Sequence, residues 1–290
     1  MSRVAIITDS ASDLPASTAA AAGIAIVPLE VSFGDERFTA GVDLTTEQFW
    51  TRMTAPDAPF PKTAAASVGQ FRTAYDEAFA DGAESVVCVC IAGTLSGTLK
   101  SAAIARDDLR AEQPDREVIV VDSGSASMGE GLLALMATEM AAAGSSAADI
   151  AAVLEERKAD LNLYIALDTL EYLKRGGRIS GTKAAVGTLL SVKPIITIRD
   201  GAVDSVESVR TRSKARQRVL ELLSDRPVER IAVLHTMAED VDGFRDELVR
   251  RVPGGVDPAR VSSQPVGASV GPHLGPGGIG AVVLYARPGA

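Results

Sequence analysis

The sequence predicts an α/β protein in two units, an N-terminal parallel-sheet α/β domain followed by a smaller C-terminal α+β domain. Three observations carry this. The chain has 290 residues, more than one typical core needs and enough for two of about 100–150 residues. Short β-branched runs alternate with stretches of helical period through residues 1–160, as in parallel βαβ units. Charge also divides unevenly: residues 1–160 hold 11 Lys/Arg against 24 Asp/Glu, and residues 161–290 hold 18 against 14. The boundary is therefore expected between 160 and 161, separating a net of −13 from a net of +4.

Taken in order, Val4–Ile7 reads as a strand ending at Thr8-Asp9-Ser10, and Asp13-Leu14-Pro15 opens a helix that closes at Gly23. Ile24–Val27 begins a second strand. Residues 29–33 and 37–39 flank Gly34-Asp35, a Gly-first turn that suits a type II′ hairpin. Thr45-x-x-Gln48 and Ser67-x-x-Gln70 both match the capping box and start helices near 46–55 and 68–80, with the proline-broken stretch Pro56–Pro61 between them. Ser85–Ile91 is an apolar run suited to a central strand covered on both faces. A helix follows from Gly97 or Thr98, then the strand Glu117–Val121, and then helices near 129–143 and 146–158. In the second unit, Leu163–Leu167 leads into a short helix ended by Gly176-Gly177. Pro194–Ile198 and Val203–Val206 flank an Asp200-Gly201 hairpin turn. A helix from Ser213, a strand at Ile231–Leu234, a helix near 240–251 and strands near 260–264 and 281–285 complete the chain.

Composition excludes several function classes. A net charge of −9 argues against general nucleic-acid binding, which rests on a basic surface. No apolar run approaches the ~18 residues of a membrane span, and the N-terminus enters a strand at Val4 without a charged-then-apolar leader, so a cytoplasmic location with at most transient membrane contact is expected. Cys88 and Cys90 stand i and i+2 in one strand, point the same way and do not readily bridge.

Two motif matches fail on context, and a metal-ligand spacing is missing. Gly267-Ala268-Ser269-Val270-Gly271 fits the hydrolase nucleophile elbow, but Pro272, Gly275 and Pro276 deny it the helix that must follow the serine. Gly275-Pro276-Gly277-Gly278-Ile279-Gly280 fits the dinucleotide fingerprint, yet it precedes a strand instead of following one. The two histidines, His235 and His273, stand in no metal-ligand spacing, so neither a metal nor a cofactor is expected.

What remains is a set of polar strand ends, where open α/β sheets bind ligands. They are Thr8-Asp9-Ser10, the stretch Gly93–Ser96 and Asp122-Ser123. The junction Leu95-Ser96-Gly97-Thr98 joins a buried strand to a helix start, whose free N–H groups and partial positive charge favour a carboxylate or phosphate. The same spacing also fits Ser96 as an ordinary N-cap with the glycines as a turn.

Together, Thr8-Asp9-Ser10-x-x-Asp13-Leu14, Leu95-Ser96-Gly97-Thr98-x-x-Ser101-Ala102, Asp122-Ser123 with Ser127-Met128-Gly129, Leu173-Lys174-Arg175-Gly176-Gly177-Arg178 and Gly271-x-His273-x-Gly275-Pro276-Gly277 resemble the DegV family from end to end. The resemblance implies a non-catalytic fatty-acid carrier of two α/β domains, with the long-chain acid buried near the domain junction and presented to a separate fatty-acid kinase for acyl-phosphate formation. It implies that Thr63, Ser96 and His273 surround the carboxyl group; the polar strand ends and the helix start add Thr8, Asp9, Ser10, Gly97, Thr98, Asp122 and Ser123 as further site lining. Thr63 opens the segment that the family writes Thr-Ser-Gln-Pro-Ser, here with Ala64-Ala65-Ala66 in its middle. Residues 161–218 concentrate 11 Lys/Arg, Lys183 among them, against 5 Asp/Glu. Arg175, Arg178 and Arg212 are the expected docking residues for the kinase or its nucleotide. The alternative is a hydrolase or transferase acting on a small anionic substrate, with His273 as general base.

Overall fold

The computed structural model describes residues 3–179 and 192–287, so Lys183 of the basic cluster lies outside the described residues. The first half runs β1 (Val4–Asp9), α1 (Ala16–Ala22), β2 (Ile24–Val27), β3 (Glu30–Phe33), β4 (Glu36–Thr39), α2 (Thr46–Met53), β5 (Lys62–Ala64), α3 (Val68–Ala80), β6 (Ser85–Cys90), α4 (Thr98–Glu112), β7 (Glu117–Asp122), α5 (Met128–Ala142) and α6 (Ala147–Arg157). Both expected capping boxes are present, Thr45 with Gln48 and Ser67 with Gln70. Strands β2-β1-β6-β7 form a parallel sheet in that order. β6 is buried throughout because it is covered twice. Cys88 and Cys90 join the core under α3 and α4 with Phe71, Tyr75 and Leu109, while Val87 and Val89 join the core under α5 and α6 with Leu133 and Leu154.

The second half runs β8 (Leu161–Ala166), α7 (Glu171–Arg175), β9 (Lys193–Arg199), β10 (Ala202–Val209), α8 (Arg212–Leu223), β11 (Val228–His235), α9 (Val241–Arg251), β12 (Val261–Pro265), α10 (Gly271–Leu274) and β13 (Ile279–Tyr285). Its six strands form one sheet, β10-β9-β8-β13-β11-β12, antiparallel except between β11 and β12. The Asp200-Gly201 turn has positive φ at both positions, the backbone of a type I′ hairpin. Side-chain alternation divides this sheet cleanly: Ile195, Ile231, Val233 and Val283 face α8 and α9, whereas Leu163, Ile165, Ile196, Leu234 and Val282 face the first half. Helix α5 lies between the two sheets, touching β1 and β6 on one side and β8, β11 and β13 on the other. A helix enclosed in this way is apolar on most of its circumference, and Leu132, Leu133, Ala134, Met136 and Ala137 are all buried.

Two local features depart from the sequence reading. A third strand, β5, follows the proline-broken stretch Pro56–Pro61 where the sequence reading places no element, and pairs with β3 to make a small sheet β4-β3-β5. The prolines and glycines near residue 272 do not abolish helix, since α10 forms a single turn. Pro272 sits in its first turn, where the missing N–H costs nothing.

Candidate functional site

Between the inner face of the six-stranded sheet and the loops of the first half lies a cavity lined mostly by aliphatic side chains with a few polar groups, the usual make-up of a small-molecule pocket. Strand alternation supplies its apolar wall: Leu163 and Ile165 from β8, Ile196 and Ile198 from β9, Val203 from β10 and Leu234 from β11. Leu29, Ile91, Leu95, Leu173, Val270 and Leu274 close it from other directions. The polar lining is small and specific: Thr63, Ser96, Ser127, Ser269, Arg178 and His273.

These polar groups arrive from separate elements. Thr63 sits on β5, held opposite Val31 of β3, and its Oγ1 lies 3.1 Å from His273 Nε2. His273 belongs to α10, which packs on α7 through glycines. A Cβ on Gly176 would come within 2.2 Å of His273 Nδ1, and one on Gly275, whose φ is +71°, would strike the Tyr172 ring. Burial, aided by the nearby Arg178 charge, pushes the His273 imidazole down to about 4, so it is neutral at pH 7. Ser96 Oγ accepts the Thr98 N–H at 3.2 Å and shares a 2.8 Å hydrogen bond with Thr98 Oγ1. Ser96 therefore both steadies the start of α4 and faces the cavity. The N–H groups of Leu99 and Lys100 fall in the first turn of α4, where helix geometry provides no internal acceptor.

Arg178 is the one charged residue in the cavity lining among the described residues. Its guanidinium donates to the carbonyls of Leu95 (3.3 Å) and Gly176 (2.5 Å). It has no acidic partner among the described residues. A cation facing an apolar cavity without a counter-charge favours a ligand that brings one.

Behind the cavity three carboxyls hold its walls, Asp9 and Glu130 buried and Asp13 half-buried. Asp9 accepts the N–H groups of Ala11 (2.9 Å) and Ile91 (3.0 Å), fixing the loop that leads to Ser96. Asp13 accepts from Ser127 Oγ (2.5 Å) and the Gly267 N–H (2.8 Å), tying the start of α5 to the loop that carries Ser269 and His273. Glu130, fully buried in α5, accepts from Thr8 Oγ1 (2.8 Å) and the Asp9 N–H (3.3 Å). Burial pushes Asp9 up to about 6 and Asp13 up to about 7, and it raises Glu130 well above its ordinary range.

The structure thus brings Thr63, Ser96 and His273 to one cavity, and it separates the other sequence-derived candidates. Thr8 and Asp9 are wholly buried against Glu130, outside the cavity lining. Ser10 stands one bond behind it, its Oγ 2.8 Å from Ser269 Oγ. Gly97 and Thr98 back Ser96 in the helix start. Asp122 and Ser123 line a neighbouring cleft. Of the expected docking arginines, Arg178 lines the cavity instead of an outer surface, because the Gly176-Gly177 turn folds it back toward Leu95. Arg175 is exposed, over the Phe60 ring at 4.0 Å and 3.8 Å from Glu171. Arg212 is exposed but engages the Asp168 carboxylate with two nitrogens, and Lys193 joins the same carboxylate at 2.9 Å. Sequence reasoning passed over Asp13 and Ser127 as site-building residues. The signal was their place in two motifs, yet their pairing spans 114 residues.

Comparison with known proteins points the same way. The family model described as "Uncharacterised protein, DegV family" matches residues 3–286. A DegV domain-containing protein of Streptomyces coelicolor is 38% identical, over 98% of this chain and 99% of its own. Among solved structures, a fatty-acid-binding DegV family protein from Thermus thermophilus superposes with a TM-score of 0.87 at 32% identity, covering 98% of this chain and 100% of that one. A stearic acid-binding protein from Eubacterium ventriosum gives 0.87 at 28% identity, covering 98% of each chain.

Proposed function

The chain belongs to the DegV family, and from that premise we propose that it binds one long-chain fatty acid in the cavity, its carboxylate on Ser96, Thr63 and Arg178. The observation that carries the reading is the pairing of an apolar cavity with one guanidinium, which has no acidic partner among the described residues, beside hydroxyl donors. Burying a palmitoyl chain contributes on the order of 10 kcal/mol before costs, at about 0.8 kcal/mol per methylene. The hydroxyls and the guanidinium add orientation through charge-assisted hydrogen bonds. The fatty-acid-binding relatives from Thermus thermophilus and Eubacterium ventriosum support the ligand class.

In this reading the protein is a carrier, not an enzyme, and a separate fatty-acid kinase phosphorylates the acid that it presents. We place it in the cytoplasm, where such a kinase meets its nucleotide; among the described residues no helix is long and apolar enough to cross a membrane. We place the domain boundary at 160/161, so that the acid lies between 1–160 and 161–290. A hydrolase or transferase with His273 as general base gains no support. An imidazole pushed down to about 4 is a weak base, and its Nδ1 has no orienting partner among the described residues. The test is thermal: stripped of lipid, the protein should melt several degrees higher with palmitate or oleate in excess. It should gain much less from hexadecanol, and no gain from either acid would refute the reading.

A further inference from the structure

Two cavities meet at one pair of side chains. Ile165 of β8 pairs with Ile196 of β9, and antiparallel continuation of that register sets Leu163 opposite Ile198 on the same face. Ile165 and Ile196 line only the cavity described above. The next residues outward on that face, Leu161 and Asp200, line only a neighbouring cleft. Leu163 and Ile198 line both.

The cleft differs in kind from the cavity, being lined by Asp122, Lys158, Asn162, Thr197 and Arg199. A terminal methyl gains nothing by entering such a polar space, since burial against hydrocarbon is what rewards it. The partition is also fixed in place. Leu163 is 8% exposed within the main core, and Thr94 Oγ1 donates to the Gly201 carbonyl at 2.5 Å, pinning the β9–β10 turn to the loop before Ser96.

We propose that Leu163 and Ile198 set the acyl length that the cavity accepts, by closing it against the polar cleft. This rests on the fatty-acid reading above. Replacing either side chain with alanine removes three carbons, and because interiors pack like organic solids, the vacated space admits about three more chain carbons.

The experiment offers lipid-stripped protein an equimolar mixture of laurate, palmitate, stearate and arachidate, re-purifies it, and quantifies the retained acids by mass spectrometry. Leu163→Ala, Ile198→Ala and their combination should raise the arachidate-to-palmitate ratio over the unaltered protein, the combination by about tenfold or more. Leu163→Phe should shift retention toward laurate, and Leu161→Ala, which touches only the cleft, should leave the profile unchanged. Should an alanine variant fail to fold, Leu163→Val and Ile198→Val carry the same direction more weakly. Folded variants that retain the unaltered protein's profile would overturn the assignment while leaving fatty-acid binding intact. An unaltered protein that retains none of the four acids would instead overturn the fatty-acid reading, and this proposal with it.

Discussion

The two sides of the cavity are built in opposite ways. The apolar wall is one continuous surface, the inner face of β8, β9, β10 and β11, in which every other residue is aliphatic and the hydrogen-bond ladder sets the spacing. The polar side is assembled from separate pieces: Thr63 on a three-residue strand, Ser96 before a helix, Arg178 after a glycine pair and His273 on a single helical turn. A sheet positions its side chains by itself, but loops have to be tied. Here the ties are the carboxyls of Asp9 and Asp13, which hold the Ser96 loop and the His273 loop respectively. On the proposed reading one side measures the chain and the other recognises the head group, and substitutions on the two sides should separate length from charge.

The largest effect is expected at Arg178. Arg178→Met should weaken palmitate binding about 100-fold, the loss of charge-assisted bonds worth about 3 kcal/mol, while hexadecanol binding changes little. Ser96→Ala and Thr63→Ala should each cost about tenfold or more, at about 1.5–3 kcal/mol per bond to a charged group. Calorimetric titration of lipid-stripped variants checks all three. Equal losses for acid and alcohol would show that the polar side does not read charge.

Next comes the tie itself. Asp13→Asn can still accept from the Gly267 N–H and donate to Ser127 Oγ, so it keeps the geometry and removes the charge. Burial raises this carboxyl from 3.8 to about 7. A carboxyl raised on folding therefore leaves the folded state unpenalised below about 4, weakens it progressively as pH climbs to about 7, and adds nothing further above. Asp9 acts in the same sense up to about 6, and His273, lowered from 6.5 to about 4, acts in the opposite sense as pH falls through that window. Asp13→Asn should thus melt about 5 °C above the unaltered chain at pH 8, equivalent to about 2 kcal/mol for a protein of this size. The difference should vanish near pH 4, and calorimetric scans across that range are the check.

The smallest effect on binding is expected outside the cavity. Arg175→Glu and Arg212→Glu should leave palmitate affinity unchanged and lower acyl-phosphate formation with a cognate kinase, more so at low salt. Full phosphorylation by both variants would remove docking from this face. Arg178 cannot serve in that test, because its side chain lines the cavity.

Most of the frame was legible because its signals are local. Thr45 with Gln48, Ser67 with Gln70 and the Asp200-Gly201 turn each act within four residues, and each stands where the sequence places it. Strand β5 was not legible, since three residues acquire strand character only by pairing with β3 some thirty positions earlier. The site was legible in part. The resemblance singled out Thr63, Ser96 and His273, and the cavity gathers all three. The basic cluster and the resemblance set Arg178 among docking residues at the mouth of the acyl site, and nothing local reveals that its guanidinium reaches the Leu95 carbonyl 83 residues away. The same distance problem hid the contact of Asp13 with Ser127 and that of Thr8 with Glu130.

The account stands or falls on whether the cavity holds a fatty acid with its carboxylate against Ser96, Thr63 and Arg178. Mass spectrometry of the gently purified protein, intact and after denaturing extraction, tests this most directly. The account predicts close to one saturated or mono-unsaturated long-chain acid per chain, and a marked loss of that occupancy in Ser96→Ala combined with Arg178→Met. Protein that carries no fatty acid and takes up none on incubation, or a double variant that stays fully loaded, would contradict it.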